Sequence, residues 1–180
     1  MLSDLGDYEG AKELLEKAVK TDEENFGLAH PNTARSYSNL AMVLKDLGDF
    51  EGAKELLEKA VKSNEENFEL SHPRTALSYS NLATVLKDLG DYEGAKELLE
   101  KAVKSDEQNF GVAHPSTARS YSNLGLVLKD LGDYESAKEL LEKAYLIFKD
   151  QLGINHPNTK IVKGNLEFVQ SLIKKNNGTN

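Results

Sequence analysis

A segment of 42 residues, Gly48 to Leu89, occurs almost unchanged at Gly6 to Leu47 and again at Gly90 to Leu131. A fourth, looser copy begins at Gly132. The first and third copies differ at only 6 of the 42 places: 21/105, 24/108, 28/112, 32/116, 41/125 and 42/126. A fixed period of this length constrains the fold more than any other feature of the chain. Each unit must bury its apolar face on its neighbours, which predicts a quasi-linear stack. The 180 residues alone would allow one domain or two. The repeat predicts one all-α solenoid of antiparallel helix pairs over residues 1–175, with a polar tail at 176–180.

Within each copy the punctuation is regular. Gly-Asp at 48–49, 90–91 and 132–133 reads as a glycine past one helix end followed by the N-cap of the next, a tight turn between antiparallel helices. His-Pro at 30–31, 72–73, 114–115 and 156–157 opens another helix, because proline suits the first helical position. These marks predict an orphan helix at about 8–26, pairs beginning near 31, 73 and 115, and a capping helix at about 157–174. Met1 to Asp7 matches Val43 to Asp49, so the first residues read as the last turn of a helix.

On the first helix Tyr8, Ala11, Leu14, Leu15, Ala18, Val19 and Phe26 have helical spacing. Glu13–Lys17 and Glu16–Lys20 are i,i+4 pairs on a solvated face. Gly27, Gly111 and Gly153 read as left-handed caps, but the second copy has Glu69 there, so its helix is strained or ends differently. In the helix after His-Pro, Tyr37, Leu40, Ala41, Val43 and Leu44 form the buried side. Ala41, Ala83 and Gly125 are small where Ala53, Ala95 and Ala137 should cross them. The closing helix has Lys163 at the tyrosine position and Glu167 at the small one, as the polar outer face of a solenoid end requires.

Composition excludes several classes of function. A formal charge of −8 argues against a broad nucleic-acid footprint, which needs a basic face. The absence of cysteine removes disulfides, thiolate metal sites and thiol nucleophiles. No apolar run approaches the roughly 18 residues of a membrane span. The acidic first residues do not resemble a signal peptide, so the expected setting is cytoplasmic. His30, His72, His114 and His156 come one per repeat with no second ligand at metal spacing, and are expected to cap or pack before the proline. There is no nucleophile elbow and no phosphate-cradling glycine loop. Neither an enzyme nor a cofactor is expected.

The run YSNLAMVLKDLGDFEGAKELLEKAV resembles tetratricopeptide repeats, and the likeness extends over nearly the whole chain. The usual unit has 34 residues; this one has 42, with a long second helix ending in Phe-Gly-x-x-His-Pro, similar to the repeats of kinesin light chains. The resemblance implies a right-handed superhelix in which the helices after each His-Pro line a concave groove for extended peptides.

Asn39, Asn81, Asn123 and Asn165 form a ladder in mid-helix, where asparagine is a poor helix former. An amide offers both a donor and an acceptor to the backbone of an extended peptide. Beside it lie Ser38, Ser80 and Ser122. Arg35, Leu77, Arg119 and Ile161 lie a turn earlier; Met42, Thr84, Leu126 and Phe168 lie nearly a turn later, followed by Lys45, Lys87 and Lys129. The severe changes Arg35/Leu77/Arg119 and Met42/Thr84/Leu126 fall on this face, as distinct pockets along one ligand would require. The expected partner is a protein or peptide with some Asp or Glu around an apolar anchor. The clamp that some family members use for acidic chaperone tails is not expected, since only its asparagine is matched. The alternative is a structural or regulatory segment of a larger protein, self-associating through residues 1–28, where the first helix keeps an internal pattern and should leave residues such as Leu15 and Val19 partly uncovered.

Overall fold

The computed structural model describes residues 7–178. Among the described residues there are eight helices and no strand. They are α1 (Tyr8–Phe26), α2 (Pro31–Asp46), α3 (Phe50–Asn67), α4 (Pro73–Asp88), α5 (Tyr92–Phe110), α6 (Pro115–Asp130), α7 (Tyr134–Leu152) and α8 (Pro157–Asn177). The chain divides between Asp91 and Tyr92 into two compact units, with α1–α4 in the first and α5–α8 in the second. The expected last helical turn at residues 1–5 lies outside the described residues.

The ends of the helices follow from their punctuation. Gly48 takes φ 87°, which lets its N–H reach the Lys45 carbonyl at 2.9 Å while the Asp49 N–H reaches the Leu44 carbonyl at 2.9 Å. Asp49 then turns its carboxylate back to accept the Gly52 N–H at 2.9 Å, and α3 begins. Asp7 and Asp133 cap α1 and α7 in the same way. At the other turns each histidine is an N-cap: His30, His72, His114 and His156 accept, through Nδ1, the N–H two residues on. The rings of Phe26, Phe68 and Phe110 stack on the first three at 4.4–4.9 Å. Capping and packing therefore account for the histidines, and the described residues hold no group of three or more potential metal ligands.

Gly27 caps α1 at φ 86°, ψ 169°. Its φ is positive, but its ψ is extended and not that of a left-handed helical turn. Glu69, at the equivalent place, does not adopt a positive φ. Instead α3 stops one residue sooner than α1, at Asn67, and Phe68 becomes an extended cap whose N–H bonds the Asn64 carbonyl at 2.9 Å. The second repeat thus ends its helix differently and avoids the strain.

The core of each unit is aliphatic with small contact points. Ala41 and Ala53 in the first unit and Ala137 in the second are completely buried. A Cβ added to Gly125 would lie 3.0 Å from Leu141 Cγ and 3.2 Å from the Ala137 carbonyl, so α6 approaches α7 more closely than an alanine allows without adjustment. Tyr37, Leu40, Val43 and Leu44 are buried as their spacing predicts. On α1 the expected partial exposure is found at Leu15, which is half-buried, but not at Val19. Leu14 is 57% exposed and Phe26 48% exposed, whereas Val19 is buried. The uncovered strip is Leu14 with Ala18, flanked by half-buried Ala11 and Leu15; in α3 the matching Ala53, Leu57 and Ala60 are completely buried. Val19 is buried like its counterpart Val61. The ion pairs need correction too: Lys20 reaches forward to Glu24 at 3.9 Å and not back to Glu16, an exposed contact of little energetic weight.

Polar ties join α1 to α2, α3 to α4 and α5 to α6, across the His-Pro turns and beyond what the sequence pattern predicts. Tyr37, Tyr79 and Tyr121 donate their hydroxyls to Glu23, Glu65 and Glu107 at 2.5–2.7 Å. Ser36 and Ser120 donate to Asp22 and Asp106 at 2.5 Å, and Asn64 donates to Ser78 at 2.6 Å. Between α7 and α8 both ties are replaced. Buried Phe148 and Val162 take the places of the Asp–Ser pair, and Lys149 and Lys163 those of Glu and Tyr. Lys163 is exposed and pairs with Glu167 of its own helix at 3.4 Å, so this face of α8 is a charged outer surface.

Candidate functional site

The first unit contains a cleft of about 220 Å³ between α2 and α4. It is lined by Pro31, Asn32, Ala34, Arg35, Ser38 and Asn39 from α2, Asn64 from α3, and Arg74, Leu77, Ser78 and Asn81 from α4. The helical period puts Arg35, Ser38 and Asn39 on one face, one turn from Arg35 to Asn39, and repeats that arrangement at Leu77 and Asn81. Five residues expected in a binding groove therefore meet here. Arg74, Asn64 and Ser78 join them without a counterpart in the sequence reading. In the sequence Arg74 is marked only by its place beside Pro73, yet its guanidinium lies 5.5 Å from the Phe68 ring and lines the cleft. Asn64 sits at a position held by aspartate in two other copies, and that exchange is the signal that could have found it.

Among the described residues the four asparagines of the ladder make no hydrogen bond through their side chains. Asn39 is exposed, and Asn81, Asn123 and Asn165 are half-buried. A bond to the adjacent helix, one structural reason to keep them, is therefore absent. The hydroxyls beside them are partly occupied: Ser38 donates to the Ala34 carbonyl at 3.0 Å and Thr84 to the Ser80 carbonyl at 2.9 Å, a common use of mid-helix hydroxyls. Ser80 is half-buried, and Ser122 is buried.

The electrostatics differ along the face. Lys45, Lys87 and Lys129 are each beside their neighbouring aspartate, at 3.7, 4.0 and 2.8 Å, so they bring little net positive charge. Arg35 is exposed and has no carboxylate partner among the described residues, and no carboxylate lines the cleft. Two guanidinium groups in an acid-free cleft form a local positive site on a chain of charge −8.

In the second unit Arg119, Ser122, Asn123, Leu126 and Lys129 stand on α6, and Ile161, Asn165 and Phe168 on α8. Ile161 and Phe168 are exposed, with Lys129 Nζ 5.9 Å from the Phe168 ring centroid, a cation–π contact that ties α6 to α8. Met42, Thr84 and Leu126 are half-buried; Met42 and Thr84 lie outside the cleft lining. Leu77 is 58% exposed and supplies the apolar part of the cleft.

The model of the tetratricopeptide repeat matches the chain in four overlapping stretches, residues 1–66, 38–108, 74–150 and 116–176. Among solved structures, the chain is similar to nearly identical TPR-like repeats from a Podosopora anserina protein named after kinesin light chain. Identity is 27% over 96% of this chain and 87% of that one, with a TM-score of 0.78. A single-substitution form of the same repeats gives 27% identity, 97% and 87% coverage and a TM-score of 0.78. BtubC (BKLC) from P. vanneervenii shares the fold at 24% identity, covering 97% of this chain and 73% of that chain, with a TM-score of 0.76. No curated protein sequence matches. The helix pairs, their 42-residue period and these matches together place the chain in the tetratricopeptide repeat family, as an α-solenoid with repeats of the kinesin-light-chain type.

Proposed function

We propose that this chain is a non-enzymatic interaction scaffold that holds an extended segment of a partner protein along the α2/α4 face, with the matching α6/α8 face of the second unit as an equivalent surface. One observation carries the reading: Asn39 and Asn81 present unpaired amides to a cleft with two guanidinium groups and no carboxylate. An amide pairs with a peptide backbone through both its donor and its acceptor. Arg35 and Arg74 favour an Asp or Glu in the ligand, and Leu77 gives an apolar anchor a surface to cover. The near neutralisation of Lys45, Lys87 and Lys129 concentrates this preference on the arginines. A cytoplasmic setting is part of the same proposal; among the described residues no helix is long and apolar enough to cross a membrane.

A peptide-array screen followed by titration tests the reading. Asn81→Ala combined with Asn123→Ala should weaken binding about tenfold or more while thermal unfolding moves by no more than a few degrees. A large fall in melting temperature would make the asparagines structural. Binding of neutral or basic peptides that does not change with salt would remove the role of Arg35 and Arg74.

A second reading rests on α1. Ala18 is exposed where its counterpart Ala60 is completely buried, and Leu14 is exposed beside it. Such a strip suits a second copy of the chain, giving a regulatory or structural array that self-associates through residues 1–28, of which 1–6 lie outside the described residues. Sedimentation across a concentration series decides it: a strictly monomeric chain at hundreds of micromolar would refute self-pairing.

A further inference from the structure

The loops that precede each His-Pro carry a second periodic feature. Leu28, Leu70, Val112 and Ile154 stand at equivalent places, two residues before the histidine, and are 66%, 66%, 63% and 50% exposed. None of them packs into a core. The loop positions around them vary in polarity: Gly27 becomes Glu69, Ala29 becomes Ser71 and Asn155, and Asn32 becomes Arg74 and Ser116. The exposed tip changes only among aliphatic side chains. An aliphatic tip that packs into no core suits a requirement outside the fold.

What lies behind the tip gives the requirement a shape. In the first unit Leu28 and Ala29 form one wall of a cavity of about 220 Å³, closed by Tyr37 and by Lys59, Lys62, Ser63 and Glu66 of α3. The loop is fastened there, because the Ala29 carbonyl accepts from Ser63 Oγ at 2.9 Å and from Asn67 Nδ2 at 2.6 Å. The volume is below the roughly 300–1,000 Å³ of small-molecule pockets and suits one side chain. Its charges are uneven. Glu66 is within 4.0 Å of Lys62, whereas Lys59 has no carboxylate partner among the described residues and lies 5.7 Å from the Tyr37 ring centroid. The pattern recurs in the second unit, where Lys143 Nζ lies 5.9 Å from the Tyr121 ring centroid and the place of Lys62 is taken by Leu146, itself exposed.

We propose that this cavity is a second docking site, separate from the asparagine face, which takes an aliphatic or aromatic side chain of a partner's extended segment with an adjacent Asp or Glu. The side chain packs between Leu28 and the stems of Lys59 and Lys62. The neighbouring carboxylate meets the Lys59 ammonium. The reading does not depend on the asparagine face binding anything.

The test is NMR titration of the ¹⁵N-labelled chain with the peptide Ac-Glu-Glu-Leu-Glu-Glu-NH₂ and its lysine analogue Ac-Lys-Lys-Leu-Lys-Lys-NH₂. The acidic peptide should shift Leu28, Ala29, Lys59 and Ser63, and the lysine analogue should not. Leu28→Asp should weaken those shifts at least about tenfold without changing the melting temperature, since the side chain is exposed. Asn39→Ala with Asn81→Ala should leave them intact. Absence of shifts at these residues at millimolar peptide, equal shifts from the lysine analogue, or undiminished binding to Leu28→Asp would each overturn the proposal.

Discussion

Three tyrosines show how a side chain can be both core and tie. Tyr37, Tyr79 and Tyr121 are almost completely buried, yet each donates its hydroxyl to a glutamate on the preceding helix. Burial comes first, with the hydrogen bond to Glu107 and its charge second, in pushing the Tyr121 hydroxyl up to about 12; Tyr37 and Tyr79 are raised further by the same causes. A free tyrosine ionises near pH 10. A raised folded-state value means that the native chain holds its proton more tightly, so this stabilisation is whole below about pH 10 and is lost as the pH rises through about 12. Melting curves should therefore fall steeply above about pH 10. In Tyr121→Phe the fall should be shallower, with a loss of about 1–2 kcal/mol at neutral pH for the missing bond. An unchanged alkaline slope would remove Tyr121 from the account. These tyrosines were legible as core residues from spacing alone. Their glutamate partners were not, because a carboxylate fourteen residues upstream on an acidic helix looks like any solvated charge. Residues 148, 149, 162 and 163 held the clue: where one partner of a tie is lost in the fourth copy, so is the other.

At the scale of the element, helix ends were easier to foresee than helix faces. Gly-Asp and His-Pro mark their own boundaries through local chemistry, whereas the exposure of Leu14 depends on whether anything lies against α1, which no local pattern states. The asparagine face was legible as a periodic oddity, but Arg74 was not, because reading it as part of the cleft requires the Phe68 cap. That cap gives a prediction. Glu69 does not take the positive φ that Gly27 uses, and α3 ends at Asn67. Glu69→Gly should let Phe68 join the helix, with its backbone ¹³Cα shift moving to a helical value. The added freedom of glycine in the unfolded chain should hold any change in stability within about 1 kcal/mol. A Phe68 that stays extended would show that the loop, and not Glu69, sets the length of α3.

For the whole molecule, stability is distributed unevenly. α1 has a single buried residue, Val19, whereas α3 has six: Ala53, Leu57, Ala60, Val61, Ser63 and Asn64. In a repeat protein, stability is approximately the sum of each unit and its neighbour interfaces, so a helix with one open side is held least. Native-state hydrogen exchange should find the amides of α1 exchanging at least about tenfold faster than those of α3 in dilute solution. If copies pair through α1, the gap should close as concentration rises. Equal protection at all concentrations would mean that the open face carries no energetic penalty.

Copies this alike bring a hazard during folding, since a helix from one repeat finds nearly the same seat in another. The last pair differs in kind. If α8 settled on α5, Val162 would lie against Asp106, a carboxylate that now receives the Ser120 hydroxyl inside a buried site. That charge would be left without a donor, at a cost of about several kcal/mol. The Phe148–Val162 and Lys149–Lys163 exchanges thus act as a key fitting one lock among four. They favour the seat of α8 on α7 over the equivalent seat on α5, and so give copies that otherwise cannot tell one another apart one pairing that tells its partner.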